Sequence, residues 1–94
     1  MFKTNEYFDG KVKSIAFQTQ TLPATVGVMA PGEYTFNTAD KEKMTIISGS
    51  LSIQLPNDTD MHTYTEGESF EVPAHSSFQV KAPVATAYLC LYGE

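Results

Sequence analysis

The chain has 94 residues, 41% of them hydrophobic and 18% charged, which is the size of one domain with a modest core. Its formal net charge of −5 at pH 7 argues against nucleic-acid backbones as partners. No apolar run approaches the ~20 residues of a membrane-spanning helix, and the segment 1–14 has no signal-peptide character, so we expect a cytoplasmic protein without membrane contact.

Short segments of alternating hydrophobicity follow one another along the chain. They are predicted as strands at 11–17, 24–30, 33–37, 42–48, 50–55, 62–65, 69–73, 77–82 and 86–93. Turn-forming residues recur at intervals of about 8–12 residues, a spacing that is typical of sandwiches and barrels, and no segment has a helical repeat. The sequence therefore predicts a single all-β domain over residues 1–94, a barrel or jelly roll. With eleven aromatic residues around a small core, apolar surface is expected outside, and two copies could cover it.

The strand at 42–48 places a carboxylate on the predicted core face. If Ile46 faces the core, Glu42 points the same way, toward one end of the domain. Partial desolvation there would raise its pKa and suit it to acid–base chemistry. The alternative is a solvated glutamate at a strand end, paired with Lys41 or Lys43.

The strand at 33–37 has two possible inner faces. Tyr34 with Phe36 would stack on a flat base or simply fill the core, whereas Thr35 with Asn37 would suit a sugar. Glu33 and Tyr34 face opposite ways, so only one of them can line a cavity.

The histidines and the cysteine carry weaker signals. His75, in the turn of "GESFEVPAHSSF" (67–78), could be a proton donor, a hydrogen-bond partner or a turn residue. His62 lies in a polar segment and is predicted on the surface. The single cysteine, Cys90, has no partner for an internal disulfide and is predicted to be a buried structural thiol.

Two segments resemble the motifs of the cupin barrel: "PGEYTFNTADKEKMTIISG" (31–49) and "GESFEVPAHSSF" (67–78). Of the metal-binding positions in those motifs only Glu42 is kept, and Phe78 stands where a histidine ligand is usual. A catalytic metal needs about three protein ligands, and His62 and His75 lie outside the motif positions, so no metal is expected.

Nearly the whole chain resembles one small bacterial cupin family, the pyrimidine/purine nucleoside phosphorylases. The resemblance is carried by "NEYFDGKVKSI" (5–15), "VGVMAPGEYTF" (26–36), "EKMTIISG" (42–49), "VPAHSSF" (72–78) and "YLCLY" (88–92). It implies phosphorolysis of purine and pyrimidine nucleosides to free base and pentose 1-phosphate, with phosphate as co-substrate, no metal or other cofactor, and a homodimer. The alternatives are a metal-free cupin that binds a small ligand without catalysis and a purely structural dimeric domain.

The chemistry of that reaction singles out candidate residues as a hypothesis. It needs an acceptor for the ribose hydroxyls, a donor toward the departing base and aromatic rings for stacking. The candidate catalytic residues are Glu42 and His75, and the candidate substrate-binding residues are Glu33, Tyr34, Phe36, Phe78, Tyr88 and Tyr92. The chain has no arginine, and position 91, which can be basic in that family, is Leu91, so the phosphate ligands are left open.

Overall fold

A computed structural model describes residues 2–93, so the predicted domain 1–94 extends one residue beyond it at each end. The described residues form ten β-strands and no helix. The strands are β1 Thr4–Tyr7, β2 Val12–Gln18, β3 Pro23–Met29, β4 Gly32–Asn37, β5 Glu42–Ser48, β6 Ser50–Gln54, β7 His62–Thr65, β8 Ser69–Val72, β9 Ser77–Ala82 and β10 Thr86–Tyr92. Within this range no helix is long and apolar enough to cross a membrane.

The strands form two antiparallel sheets that enclose the core. One sheet has the order β1-β2-β3-β10-β5-β8 and the other the order β4-β9-β6-β7. The last strand along the chain, β10, lies in the middle of the larger sheet between β3 and β5. The all-β jelly-roll prediction is confirmed, but among residues 2–93 no hydrogen-bonded strand pair joins the two sheets, so the barrel is a two-layer sandwich.

Alternation of the side chains explains how the strands pack. In β6, Leu51 and Ile53 are fully buried, and in β9 Phe78, Val80 and Ala82 are at most 3% exposed. The residues between them point outward, which is the period of two expected for a strand covered on one face. The inward side chains of both sheets merge into one hydrophobic cluster.

The first strand was not predicted, because its sequence TNEY has no hydrophobic alternation. Pairing with β2 defines it, from Thr4 opposite Ile15 to Tyr7 opposite Val12. The turn that follows carries Phe8 and Asp9 at φ 54° and 57°. A left-handed conformation is uncommon for residues other than glycine, so this turn is held by its surroundings.

The crossing from one sheet to the other is made between β5 and β6 at Gly49, where φ is 98°. A Cβ atom there would lie 2.5 Å from Thr86 Oγ1. The fully buried Thr86 hydroxyl lies 3.0 Å from the carbonyl oxygens of Ser50 and Val84 and accepts a hydrogen bond from the Ser50 N–H at 3.3 Å. Glycine is needed here for its backbone angle and for the space that Thr86 occupies.

The outer face of the larger sheet is apolar. Ile15, Val26 and Val28 are 46–54% exposed. Ile15 lies opposite Val26, and β3 is flanked by β2 and β10, so these side chains form one continuous surface. Val26 and Val28 lie on the outward face of β3, whereas Met29 lies on the other face and is fully buried.

Candidate active site

A cavity of about 290 Å³ opens between the two sheets. Its volume lies near the lower end of the roughly 300–1,000 Å³ that small-molecule sites usually have. The larger sheet supplies most of its polar groups, and the smaller sheet supplies two phenylalanine rings. One wall can therefore hydrogen-bond a ligand while the other stacks against it.

Glu42 is the carboxylate of the polar wall. It starts β5 on the same face as Met44 and Ile46, both buried, so the predicted inward direction is correct. The Cys90 thiol donates a hydrogen bond to Glu42 Oε1 at 3.5 Å. Burial raises the pKa of Glu42, the thiol hydrogen bond lowers it, and the nearby charge of Asp40 raises it further.

Two neighbours of this carboxylate, Cys90 and Tyr92, keep their protons. Burial, together with the charge of Glu42, raises the pKa of Cys90, and burial likewise raises that of Tyr92. The Tyr92 hydroxyl and Thr25 Oγ1 are hydrogen-bonded at 2.9 Å. The thiol and the phenol beside Glu42 can therefore donate hydrogen bonds but carry no charge.

The apolar wall consists of Phe36 from β4 and Phe78 from β9. These residues are cross-strand partners, and their rings are stacked with centroids 5.6 Å apart and planes inclined by 25°. The Phe8 ring meets the edge of Phe36 at 5.4 Å. This pair gives one wall of the cavity an apolar aromatic lining.

The structure decides which face of β4 points inward. Tyr34 and Phe36 face the core, while Thr35 points outward and donates a hydrogen bond to Gln79 Oε1 at 2.7 Å. The Tyr34 hydroxyl donates to the Ala30 carbonyl at 2.6 Å. Tyr34 is thus a core residue beneath the aromatic wall and does not line the cavity.

The structure brings together some of the predicted site residues and leaves others apart. Glu33 is exposed because it alternates with the buried Tyr34, and His75 is exposed on a turn at φ 54°. Neither lines the cavity. His62 is exposed as predicted, 3.2 Å from Asp58 Oδ2, and Cys90 is buried as predicted. The predicted residues that line the cavity are Glu42, Phe36, Phe78, Tyr88 and Tyr92.

Four further polar residues line the cavity: Tyr7, Ser14, Asn37 and Asp40. The sequence could have indicated Ser14, because it is a polar residue at an inward position of an alternating strand. In the structure its side chain is 4% exposed. Tyr7 was missed because β1 was not predicted. Asn37 is the last residue of β4 and lines the cavity, although it alternates with the inward-facing Phe36. Alternation alone therefore does not predict its place in the site.

The donor set does not match a metal centre. Across residues 2–93, no three side chains of His, Cys, Asp or Glu converge in a way that could hold an ion. Phe78 lies in the wall where the cupin motif would have a histidine.

Comparison with known proteins assigns the class and then the family. The structure superposes on a cupin from Shewanella frigidimarina with a TM-score of 0.76 at 19% identity, covering 97% of this chain and 82% of that one. It also superposes on a Vibrio parahaemolyticus protein of unknown function with a TM-score of 0.94 at 47% identity, covering 98% of each chain. The fold is therefore that of a small cupin.

The family model "Pyrimidine/purine nucleoside phosphorylase" matches residues 2–92. A protein of that name from Alcanivorax borkumensis is 61% identical over the full length of both chains. One from Saccharophagus degradans is 63% identical over 98% of each. The chain belongs to the pyrimidine/purine nucleoside phosphorylase family.

Proposed function

We propose that the protein is a nucleoside phosphorylase of broad specificity, a pentosyltransferase that acts in the cavity between the two sheets. The observation that carries the proposal is the arrangement of the cavity, where the Glu42 carboxyl lies on one wall and the stacked Phe36 and Phe78 rings form the other. The family to which the chain belongs supports it.

The reaction exchanges one bond for another at the anomeric carbon of the ribose. The bond from C1′ to the base nitrogen breaks, and its electron pair leaves with the base. An oxygen of hydrogen phosphate forms the new bond to C1′, and the phosphate proton goes to the base. Positive charge develops on the sugar between these events, so a carboxylate that accepts the ribose hydroxyls stabilises the transition state.

In this scheme Glu42 accepts hydrogen bonds from the ribose, and the base stacks on Phe36 and Phe78. Stacking reads the flat face of a base and not its edge, which suits both purines and pyrimidines. The reaction uses no metal or other cofactor, because phosphate supplies both the nucleophile and the proton. This scheme assigns no contact to Glu33 or His75, because both lie outside the cavity.

The test is to incubate purified protein with uridine or inosine, with and without phosphate. Free base that appears only with phosphate, together with pentose 1-phosphate, is the expected result. Nucleoside binding without turnover would replace this proposal with that of a binding protein. Prior treatment with EDTA should leave the rate unchanged, and a loss restored by one particular metal would refute the metal-free mechanism.

The active protein is further proposed to be a homodimer formed through the outer face of the larger sheet. Ile15, Val26 and Val28 would lose their exposure there, and a two-fold axis would bring each patch against its own copy. Lys13 and Glu6, 3.3 Å apart on the same sheet, carry opposite charges, so the rim of the patch is also self-complementary.

Sedimentation equilibrium tests the dimer. The wild-type protein should sediment as a dimer, and Val28→Glu should be monomeric at the same concentration. A monomeric wild-type protein, or a dimeric Val28→Glu variant, would contradict this interface.

A reducing compartment suits the unpaired thiol of Cys90, so we place the enzyme in the cytoplasm.

A further inference from the structure

The proposed reaction leaves the phosphate ligands to be found, because the cavity is lined by acidic and neutral groups. Asp40 and Glu42 are the charged side chains among its lining residues. All six lysines fall within residues 2–93, and each lies outside the lining. An anion in this cavity must therefore be held by neutral donors on the side away from the carboxylates.

A row of polar residues crosses the inner face of the larger sheet. Strand pairing places Asn5 of β1 opposite Ser14 of β2, Ser14 opposite Gly27 of β3, and Gly27 opposite Tyr88 of β10. Four neighbouring strands thus contribute to one line, and Ser14 and Tyr88 both reach the cavity. The row joins residues that are distant in sequence.

Gly27 provides the space that the tyrosine occupies. A Cβ atom built at Gly27 would lie 2.5 Å from the Tyr88 hydroxyl oxygen and 2.6 Å from Cζ. The ring therefore lies across the bare backbone of β3 and extends toward β2. Its hydroxyl lies over Gly27, the residue that pairs with Ser14.

Both hydroxyls are available as donors. The Asn5 amide donates a hydrogen bond to Ser14 Oγ at 3.4 Å, which leaves the serine proton free for another acceptor. Tyr88 lines the cavity, and within residues 2–93 its hydroxyl makes no hydrogen bond but remains accessible from the cavity. Burial, together with the nearby carboxylate of Glu42, raises the pKa of Tyr88, so the hydroxyl keeps its proton.

A hydroxyl that faces the cavity and has no partner in the chain can donate to a ligand there. We propose that Ser14 and Tyr88 are the phosphate-binding donors of this protein, with Gly27 as the residue that makes room for Tyr88. This inference rests on the proposed phosphorylase function and assigns its second substrate to a place in the cavity.

The position of the row relative to Glu42 fits the reaction. Tyr88 pairs with Ile46, whereas Glu42 pairs with Tyr92, so the two lie four residues apart along the strand direction. That is about 13 Å between Cα atoms. In the proposed complex the phosphate lies at the Tyr88 end of the cavity and the ribose lies between it and Glu42.

Two substitutions that each remove only a hydroxyl test the assignment, Tyr88→Phe and Ser14→Ala. The matched controls are Tyr64→Phe and Ser52→Ala, on strands of the smaller sheet and outside the cavity lining. The Michaelis constant for phosphate is measured at saturating inosine, and that for inosine at saturating phosphate. Each cavity variant should raise the phosphate constant about tenfold or more, while the inosine constant changes by less than about twofold.

A phosphate constant within about twofold of wild type in both cavity variants would overturn the assignment, as would an equal rise in the two constants. Calorimetric titration with inorganic phosphate alone separates this inference from the proposed function. Phosphate binding that is lost in Tyr88→Phe, in a protein that releases no base, would retain the subsite and refute the phosphorylase. Base release with unaltered phosphate binding in both variants would retain the phosphorylase and refute the subsite.

Discussion

Replacing Glu42 by glutamine should separate the catalytic role proposed for this residue from its cost to stability. Glutamine keeps the shape and can still accept the hydrogen bond from Cys90, which is 3.5 Å from the carboxylate. It removes the negative charge that would face the developing positive charge of the sugar. Loss of one such preorganised electrostatic contact costs about 2.7 kcal/mol, which is about 100-fold in rate.

The stability should change in the opposite direction. Because burial raises the pKa of Glu42, the folded protein keeps a proton at pH values between the ordinary 4.5 and the raised value, where the unfolded chain has already lost it. Stability therefore falls as the pH rises through this window and stays lower above it. Glu42→Gln has no such loss, so it should be more stable than wild type at pH 8, and the advantage should shrink below pH 4.5.

The assays are kcat/KM for inosine phosphorolysis and thermal unfolding at pH 4 and pH 8. The control is Glu66→Gln, an exposed glutamate in the turn between β7 and β8, which should change neither. A Glu42→Gln variant with a wild-type rate and fold would remove Glu42 from the mechanism. If Glu42→Gln is less stable than wild type at pH 8, the ionised carboxylate of Glu42 does not lower the stability of the folded protein.

Three further predictions concern the same cavity. The kcat/KM of the wild-type protein should fall on acidification with a midpoint above pH 4.5. The reason is that the proposed mechanism uses the anion of Glu42, whose pKa is raised. A midpoint at or below pH 4.5 in the pH profile would contradict this. The Cys90 thiol is 1% exposed and its pKa is raised, so it should react slowly with iodoacetamide. At pH 8 we expect a rate at least about 100-fold lower in the folded protein than in urea. Comparable rates, measured by mass spectrometry, would refute its burial. Gly27→Ala should destabilise the protein by about 1–3 kcal/mol. The new methyl group would lie 2.5 Å from the Tyr88 hydroxyl and 2.9 Å from the Lys13 carbonyl oxygen. An unchanged melting temperature would show that the Tyr88 ring moves away without cost.

Much of the fold could be predicted from local alternation. The strands at 42–48, 62–65 and 77–82 have the bounds that the sequence indicates. Alternation also related Glu42 correctly to Ile46. It failed for β1, whose polar sequence becomes a strand only because β2 offers it a partner.

The site was less predictable, because it depends on which strands become neighbours. Alternation defines two faces of β4 but does not say which one is covered, so Tyr34 and Thr35 were equivalent in the sequence. The row from Ser14 through Gly27 to Tyr88 depends on pairing of β10 with β3, two strands separated by most of the chain. Nothing local to any of these residues indicates the other two.

The central position of β10 also bears on how the protein is made. Ribosomes add residues in order, and β3 and β5 remain without the strand between them until residues 86–92 have emerged. Every earlier nascent chain has two unpaired strand edges in what will become the larger sheet, and such edges favour association with other chains. Tyr88, Cys90 and Tyr92 arrive with this strand, so the larger sheet and the cavity between the sheets should be completed in the same late step.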